Sequence, residues 1–148
     1  MVRPSIVALV DLLVPAAFQG AAYRHIDPTR DPLSGAGAPV NGGRWNPRES
    51  FAVLYLGLSP EVVHAEFERM ASRAGRSVSD FLPRTLVTYE IALVAVDLRA
   101  DAARRVVELT EGDIAAADAS KCQDVGEAAH YLGLEGILGP SPRAWVTF

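Results

Sequence analysis

The sequence has a single cysteine, Cys122, in 148 residues. A disulfide within the chain is therefore excluded, as is a metal cluster built on cysteines, and a reduced, cytosolic setting fits. Lysine is equally scarce: Lys121 is the one lysine among 14 basic residues, and the rest are arginine. Genomic base composition accounts for such a bias, so the arginine total by itself argues for no ligand. An excess of positive charge is also missing. The net charge of −4 speaks against a nucleic-acid coat or an anionic-membrane binder, while leaving room for a local basic pocket.

Long apolar runs are absent too. The nearest approach, Ile6 to Val14, follows Arg3 and is broken by Asp11. It is too short to cross a bilayer and no A-x-A cleavage pattern follows it, so it reads as an amphipathic element packing on the domain. His25, His64 and His130 lack i, i+4 pairing or acids at ligand spacing, so no metal site is expected. There is no G-x-S-x-G elbow around Ser141, which argues against a serine hydrolase. Gly35-x-Gly37 lacks the strand-then-helix context of a dinucleotide fingerprint.

What remains is an ordinary globular composition, 49% apolar and 22% charged. A chain of this length forms one domain and buries roughly two thirds of the surface its unfolded form exposes. Residues 26 to 50 hold four of the ten prolines and four of the twelve glycines. So long an irregular segment inside a compact domain is usually functional or disordered. Within it stands Val40-Asn41-Gly42-Gly43-Arg44-Trp45-Asn46-Pro47. Two glycines and a proline rule out a helix interior or a regular strand. Arg44 offers a fork for phosphate or carboxylate, and Trp45 a flat apolar face. The run reads as a shaped loop for an anionic, ring-bearing ligand such as a nucleotide.

Around that loop the elements are mixed. Ala52 to Leu56 is a short apolar strand ending at Gly57. Ser59-Pro60-Glu61 opens a helix that runs to about Arg73, with a serine cap, proline in the first turn and an acid beside it. Thr85 to Val96 reads as one strand or two. Val125, Ala128, Ala129 and Leu132 mark a helix over about Cys122 to Leu132, stopped by Gly133. Gly136-Ile137-Leu138 and Trp145 to Phe148 are further short strands, Tyr23-Arg24-His25 lies in a short extended element, and Asp101 to Ala119 is ambiguous. Strands and helices without strict alternation give an α+β class.

On the helix after Ser59, Val62, Val63, Phe67 and Met70 form a stripe about 140° wide, and Glu66 falls inside it. A carboxylate on an apolar face is costly unless paired or functional. The ordinary reading is a salt bridge to an arginine; the functional one is a carboxylate at the base of a pocket. Tyr55, ending the preceding strand, is either core packing or a stacking surface for a ligand ring.

Taken together, Tyr23-Arg24, Ser34-Gly35-x-Gly37-Ala38, Gly42-Gly43-Arg44-Trp45-Asn46, Leu54-Tyr55-Leu56 with Ser59-Pro60 and Glu66, and Gly139-Pro140-Ser141 resemble the RES domain. Cys122 to Gly126 and Gly136 to Ser141 match the later half of that pattern. The resemblance covers about residues 21 to 148, with residues 1 to 20 as an N-terminal packing element. It implies a fold related to ADP-ribosyltransferases and a bacterial, cytoplasmic toxin of a toxin–antitoxin pair that consumes NAD. NAD is then a substrate, and no cofactor is expected. The name-giving residues carried onto this chain are Arg24, Glu66 and Ser141.

In that setting Glu66 faces the positive charge that builds on the ribose as the nicotinamide bond lengthens. Arg24 and Arg44 hold the pyrophosphate or an incoming phosphate, Tyr55 stacks on a ring, and Ser141 donates to the ribose or a phosphate. Tyr23, Gly43 and Asn46 complete the substrate wall, while Trp45 buttresses the loop. The acceptor stays open at this point: phosphate, water or a protein side chain. A catalytically silent nucleotide-binding module is the non-enzymatic alternative. A cognate antitoxin protein is implied as partner, with no membrane and no direct nucleic-acid contact, and homodimerisation within that complex is left open.

Overall fold

A computed structural model describes residues 1–34 and 41–140 of the chain, together with the backbone of residues 143–147. Its framework is a five-stranded closed sheet. β1 (Ala16–Ile26) pairs along its whole length with β3 (Thr85–Asp97), antiparallel, from Ala16 opposite Ala95 to Ile26 opposite Thr85. β4 (Gly136–Leu138) lies parallel to β3, and β5 (Arg143–Thr147) runs antiparallel to β4. β2 (Val53–Gly57) pairs with β5 and closes onto β1 through Tyr23 opposite Gly57, giving the order β1-β2-β5-β4-β3.

The alternation of a strand sends neighbouring residues into two different cores. Leu54, Leu56, Ala95 and Leu138 join Ala22, Tyr89 and Leu93 in one cluster. Val53, Val96, Leu98 and Ile137 face the other, beneath the helices. β2 is thus covered on both faces, which is why its sequence is continuously apolar rather than alternating.

The helices divide the same way. α1 (Pro4–Asp11) packs against α5 (Ser120–Tyr131), where Val10 joins Cys122, Val125, Ala128 and Ala129. α2 (Pro60–Arg73) lies over β1 and β2, and its start is set by Ser59, whose side chain accepts the Val62 N–H at 3.2 Å. The ambiguous stretch resolves into two short helices, α3 (Asp101–Val106) and α4 (Glu111–Ala115). They are held where β3 ends by the buried Arg104, which donates to the carbonyls of Leu98 at 2.8 Å and Arg99 at 2.7 Å.

The α+β class stands as expected. Three local expectations change. Thr85 to Asp97 is one strand, because all of it lies along β1 or β4. The extended element at Tyr23 is the end of an 11-residue strand that starts at Ala16, ahead of the residue 20 boundary. The last strand begins at Arg143 and ends at Thr147, with Phe148 outside the described residues.

Candidate active site

The Gly42 to Pro47 loop is built against β2 and α5. Gly42 has φ 71°, a left-handed conformation that other residues rarely adopt. Gly43 is needed for a different reason: a Cβ there would lie 2.4 Å from the Tyr55 hydroxyl oxygen. That hydroxyl donates to Asn46 Oδ1 at 2.5 Å and accepts the Trp45 N–H at 3.0 Å. Burial pushes the Tyr55 pKa up to about 12, so the phenol stays protonated as a donor. Trp45 is 1% exposed and sits in the core with Val10 and Val125. From α5, Gln123 Nε2 donates to the Gly43 carbonyl at 3.0 Å. Arg44 Nη1 donates to the Ala116 carbonyl at 2.6 Å, which fixes one end of its fork.

In front of the loop is a cavity of about 930 Å³. Its walls are the end of β1 (Tyr23 to Ile26), Asn41 to Arg44, β2 at Tyr55, one face of α2, Arg84, and Ile114 with Ala115. The volume lies near the top of the range for small-molecule sites, about 300–1,000 Å³. Among the described lining residues, six are arginines (Arg24, Arg30, Arg44, Arg69, Arg73 and Arg84) and two are acids (Asp31 and Glu66). A net positive, half-apolar cavity in a chain of net charge −4 selects an anionic ligand with apolar parts.

Of the residues singled out from sequence, Tyr23, Arg24, Gly43, Arg44, Tyr55 and Glu66 all line this cavity. Asn46 does not: it is fully buried behind the wall, accepting from Tyr55. Ser141 lies outside the described residues, as do Gly35, Gly37 and Ala38. Glu66 differs in detail from the helical-wheel expectation. The core-facing line of α2 is Val63, Phe67 and Ala71, at i, i+4 and i+8, while Met70 is exposed. Glu66 and Val62 therefore stand on the shoulder that borders the cavity. The side chain of Glu66 is 39% exposed, and its Oε1 accepts from Arg69 Nη2 at 2.7 Å. The carboxylate is thus both ion-paired and at the cavity.

His25, Arg30, Arg69, Arg73 and Arg84, not among the site residues expected from the sequence, also border the cavity. Arg69 and Arg73 lie at i+3 and i+7 from Glu66, a spacing that was available as a signal. Arg84 could not be found without knowing that β3 pairs with β1. His25 stacks on Phe67 with centroids 4.8 Å apart, and burial, then Arg84 and His64, lower its pKa. Among the described residues no group of three or more His, Cys, Asp or Glu is placed to hold a metal ion.

A closed α+β sheet with a nucleotide-sized, arginine-walled cavity defines a candidate nucleotide-binding enzyme. Comparison with known families makes this specific. The RES domain model matches residues 19–146, and the chain belongs to that family. Its α+β fold is the ADP-ribosyltransferase-like fold of that family. It is 40% identical over 122 residues to proteins named NAD(+) phosphorylase MbcT from Mycobacterium tuberculosis and Mycobacterium bovis. That match covers 80% of this chain and 66% of theirs, just under two thirds of the relatives' length. Among solved structures, a chain of the M. tuberculosis MbcT–MbcA toxin–antitoxin complex superposes with a TM-score of 0.89 at 33% identity, covering 98% of this chain and 82% of that one.

Proposed function

We propose that this chain is the toxin of a bacterial toxin–antitoxin pair and cleaves NAD by phosphorolysis. The single observation that carries the reading is the cavity, which sets the Glu66 carboxylate among arginines on the face of α2. The likeness to proteins named NAD(+) phosphorylase supports phosphate as the acceptor. In this reaction the bond between the nicotinamide nitrogen and ribose C1″ breaks, and nicotinamide leaves with the bonding pair as a neutral molecule. A phosphate oxygen bonds to C1″, giving ADP-ribose 1″-phosphate. Because the leaving group starts as a cation, little acid assistance is needed. The demand is for negative charge near the oxocarbenium-like ribose, and Glu66 supplies it.

In this reading Arg24, from β1, and Arg44, from the loop, hold anionic groups through charge-assisted bonds. Tyr23 and the ring of Tyr55 present apolar surface, and Ser141 keeps the ribose or phosphate role that the family pattern gives it. Tyr55 contributes its ring face alone, since its hydroxyl is committed to the loop. Asn46 acts through Tyr55. NAD is consumed as substrate, and the residues need no cofactor for the step. A protein antitoxin is the proposed partner, supported by the solved toxin–antitoxin neighbour. A cytoplasmic setting fits a substrate of that compartment, and no helix among the described residues is long and apolar enough to cross a membrane.

The test is to incubate the chain with NAD, with and without phosphate, and then with cell lysate, following the ADP-ribose moiety by mass spectrometry. ADP-ribose 1″-phosphate formed only with phosphate is the expected product. Free ADP-ribose would make the chain a hydrolase, and a mass added to a lysate protein would make it a transferase. No consumption under any condition sinks the enzymatic reading and leaves a binding module.

A further inference from the structure

The arginines of the cavity fall into separate groups, and in one of them Arg30 and Arg84 have no role so far. Arg24, on β1, and Arg84, immediately before β3, are brought together because Ile26 pairs with Thr85. Arg30, from the segment that follows β1, lines the same cavity, and its charge acts on Arg84. Arg24 Nη1 donates to the Ser34 carbonyl at 3.1 Å, and Arg84 Nη2 to the His25 carbonyl at 3.1 Å. Carbonyls orient a guanidinium without neutralising it. Of the nearby acids, Asp27 partly offsets this charge while accepting from the Thr29 N–H and hydroxyl, and Asp31 accepts from the Leu33 N–H; among the described residues neither is in a salt bridge with the three arginines.

Arg84 is also partly stripped of water. Its guanidinium lies over the Phe67 ring, 5.2 Å from the centroid, and its Nε is buried with no hydrogen-bond partner among the described residues. Burial lowers its pKa from the ordinary value, and Arg30 and Arg24 lower it further against the opposing charge of Asp27. Like charges held together with an unpaired buried donor are unfavourable unless an anion joins them.

The proposed reaction brings two anions of different shape into one cavity. The diphosphate of NAD is extended and part of a large ligand. Inorganic phosphate is a compact dianion with oxygens in every direction, matched by guanidinium groups converging from separate elements. Arg44, tied to Ala116, stands on another wall. We propose that Arg84, with Arg24 and Arg30, forms the subsite for the attacking inorganic phosphate, leaving the diphosphate of NAD to the Arg44 wall. The assignment rests on the phosphorolysis reading above. It makes Arg84 a determinant of acceptor choice, because phosphate seated there outcompetes water for ribose C1″.

The test uses the full chain with Arg84→Gln, and Arg84→Lys as a variant that keeps the charge over Phe67. KM is measured separately for phosphate and for NAD, and binding of inorganic phosphate to the unliganded protein is followed by calorimetry. Loss of charge-assisted bonds raises the phosphate KM by about 10- to 100-fold in the Gln variant. The NAD KM stays near the parent's, free ADP-ribose rises among the products, calorimetric phosphate binding weakens in parallel, and the Lys variant falls between. A raised NAD KM with an unchanged phosphate KM overturns the subsite and leaves phosphorolysis standing. A parent enzyme whose rate ignores phosphate overturns both.

Discussion

Gly126 of α5 lies against the main chain of Trp45, so close that a Cβ at Gly126 would stand 1.7 Å from the Trp45 carbonyl oxygen. The loop that walls the cavity is therefore keyed to the helix through an absent side chain. This gives a prediction with a definite sign. In an exposed helix interior, Gly→Ala stabilises by about 1 kcal/mol. Gly126→Ala instead forces loop and helix apart, and overpacking of this kind costs about 1–3 kcal/mol. A urea midpoint lower than the parent's is expected; a higher one would show that the loop does not seat on α5 as described.

Glu66→Gln removes the charge proposed to face the ribose while preserving size. The exposed pair with Arg69 contributes little to stability, about 0–1 kcal/mol. Removing a transition-state electrostatic partner costs about 10²- to 10³-fold in kcat. The variant is expected to melt near the parent temperature while NAD turnover falls by that factor. Parent-like turnover would remove Glu66 from the chemistry.

Tyr55→Phe deletes the hydroxyl that joins Trp45 N–H to Asn46 Oδ1. Two buried polar groups lose their shared partner, at a cost of about 1–3 kcal/mol. The same residue sets an alkaline limit. Its pKa rises from 10.0 to about 12 on folding, so the folded chain holds this proton more tightly than the unfolded one. Stability from this group is complete below pH 10 and is lost as pH rises toward 12. Denaturation midpoints across that window therefore fall with pH in the parent and fall less steeply in the Phe variant.

Arg104→Lys tests a structural arginine away from the cavity. One guanidinium nitrogen serves two carbonyls, those of Leu98 and Arg99, while the other reaches toward Glu111 at 3.5 Å. An ammonium cannot reproduce that fork. A loss of about 1–3 kcal/mol is expected for the stranded carbonyls. Turnover per folded molecule, measured at low temperature, stays at the parent level.

The parts of this molecule visible in its sequence are those where one local signal decides. Ser59-Pro60-Glu61 fixes the start of α2, and the glycine pair with Arg44 and Trp45 marks the loop. The short helices α3 and α4 have six and five residues, too few for a helical period to show. The burial of Asn46 and the placing of Arg84 both depend on strand pairing between distant segments. Glu66 was visible as an anomaly on its helix, but whether it faced core or cavity was a tertiary fact. Gly126 carried no local sign at all, since its constraint comes from a carbonyl 81 residues earlier in the chain, at Trp45.

The crowding of six arginines with two acids among the described residues of the cavity has a thermodynamic consequence for the protein's own lifetime. Work done in folding these cations toward one another is returned when a dianion enters, so every anion that fits is also a stabilising ligand. Its effect grows as RT ln(1 + [L]/Kd). Thermal midpoints accordingly climb with added phosphate or NAD. Under the proposed reaction the chain thus erodes one of the ligands that would keep it folded, and as the NAD pool empties, it becomes easier to unfold and to degrade.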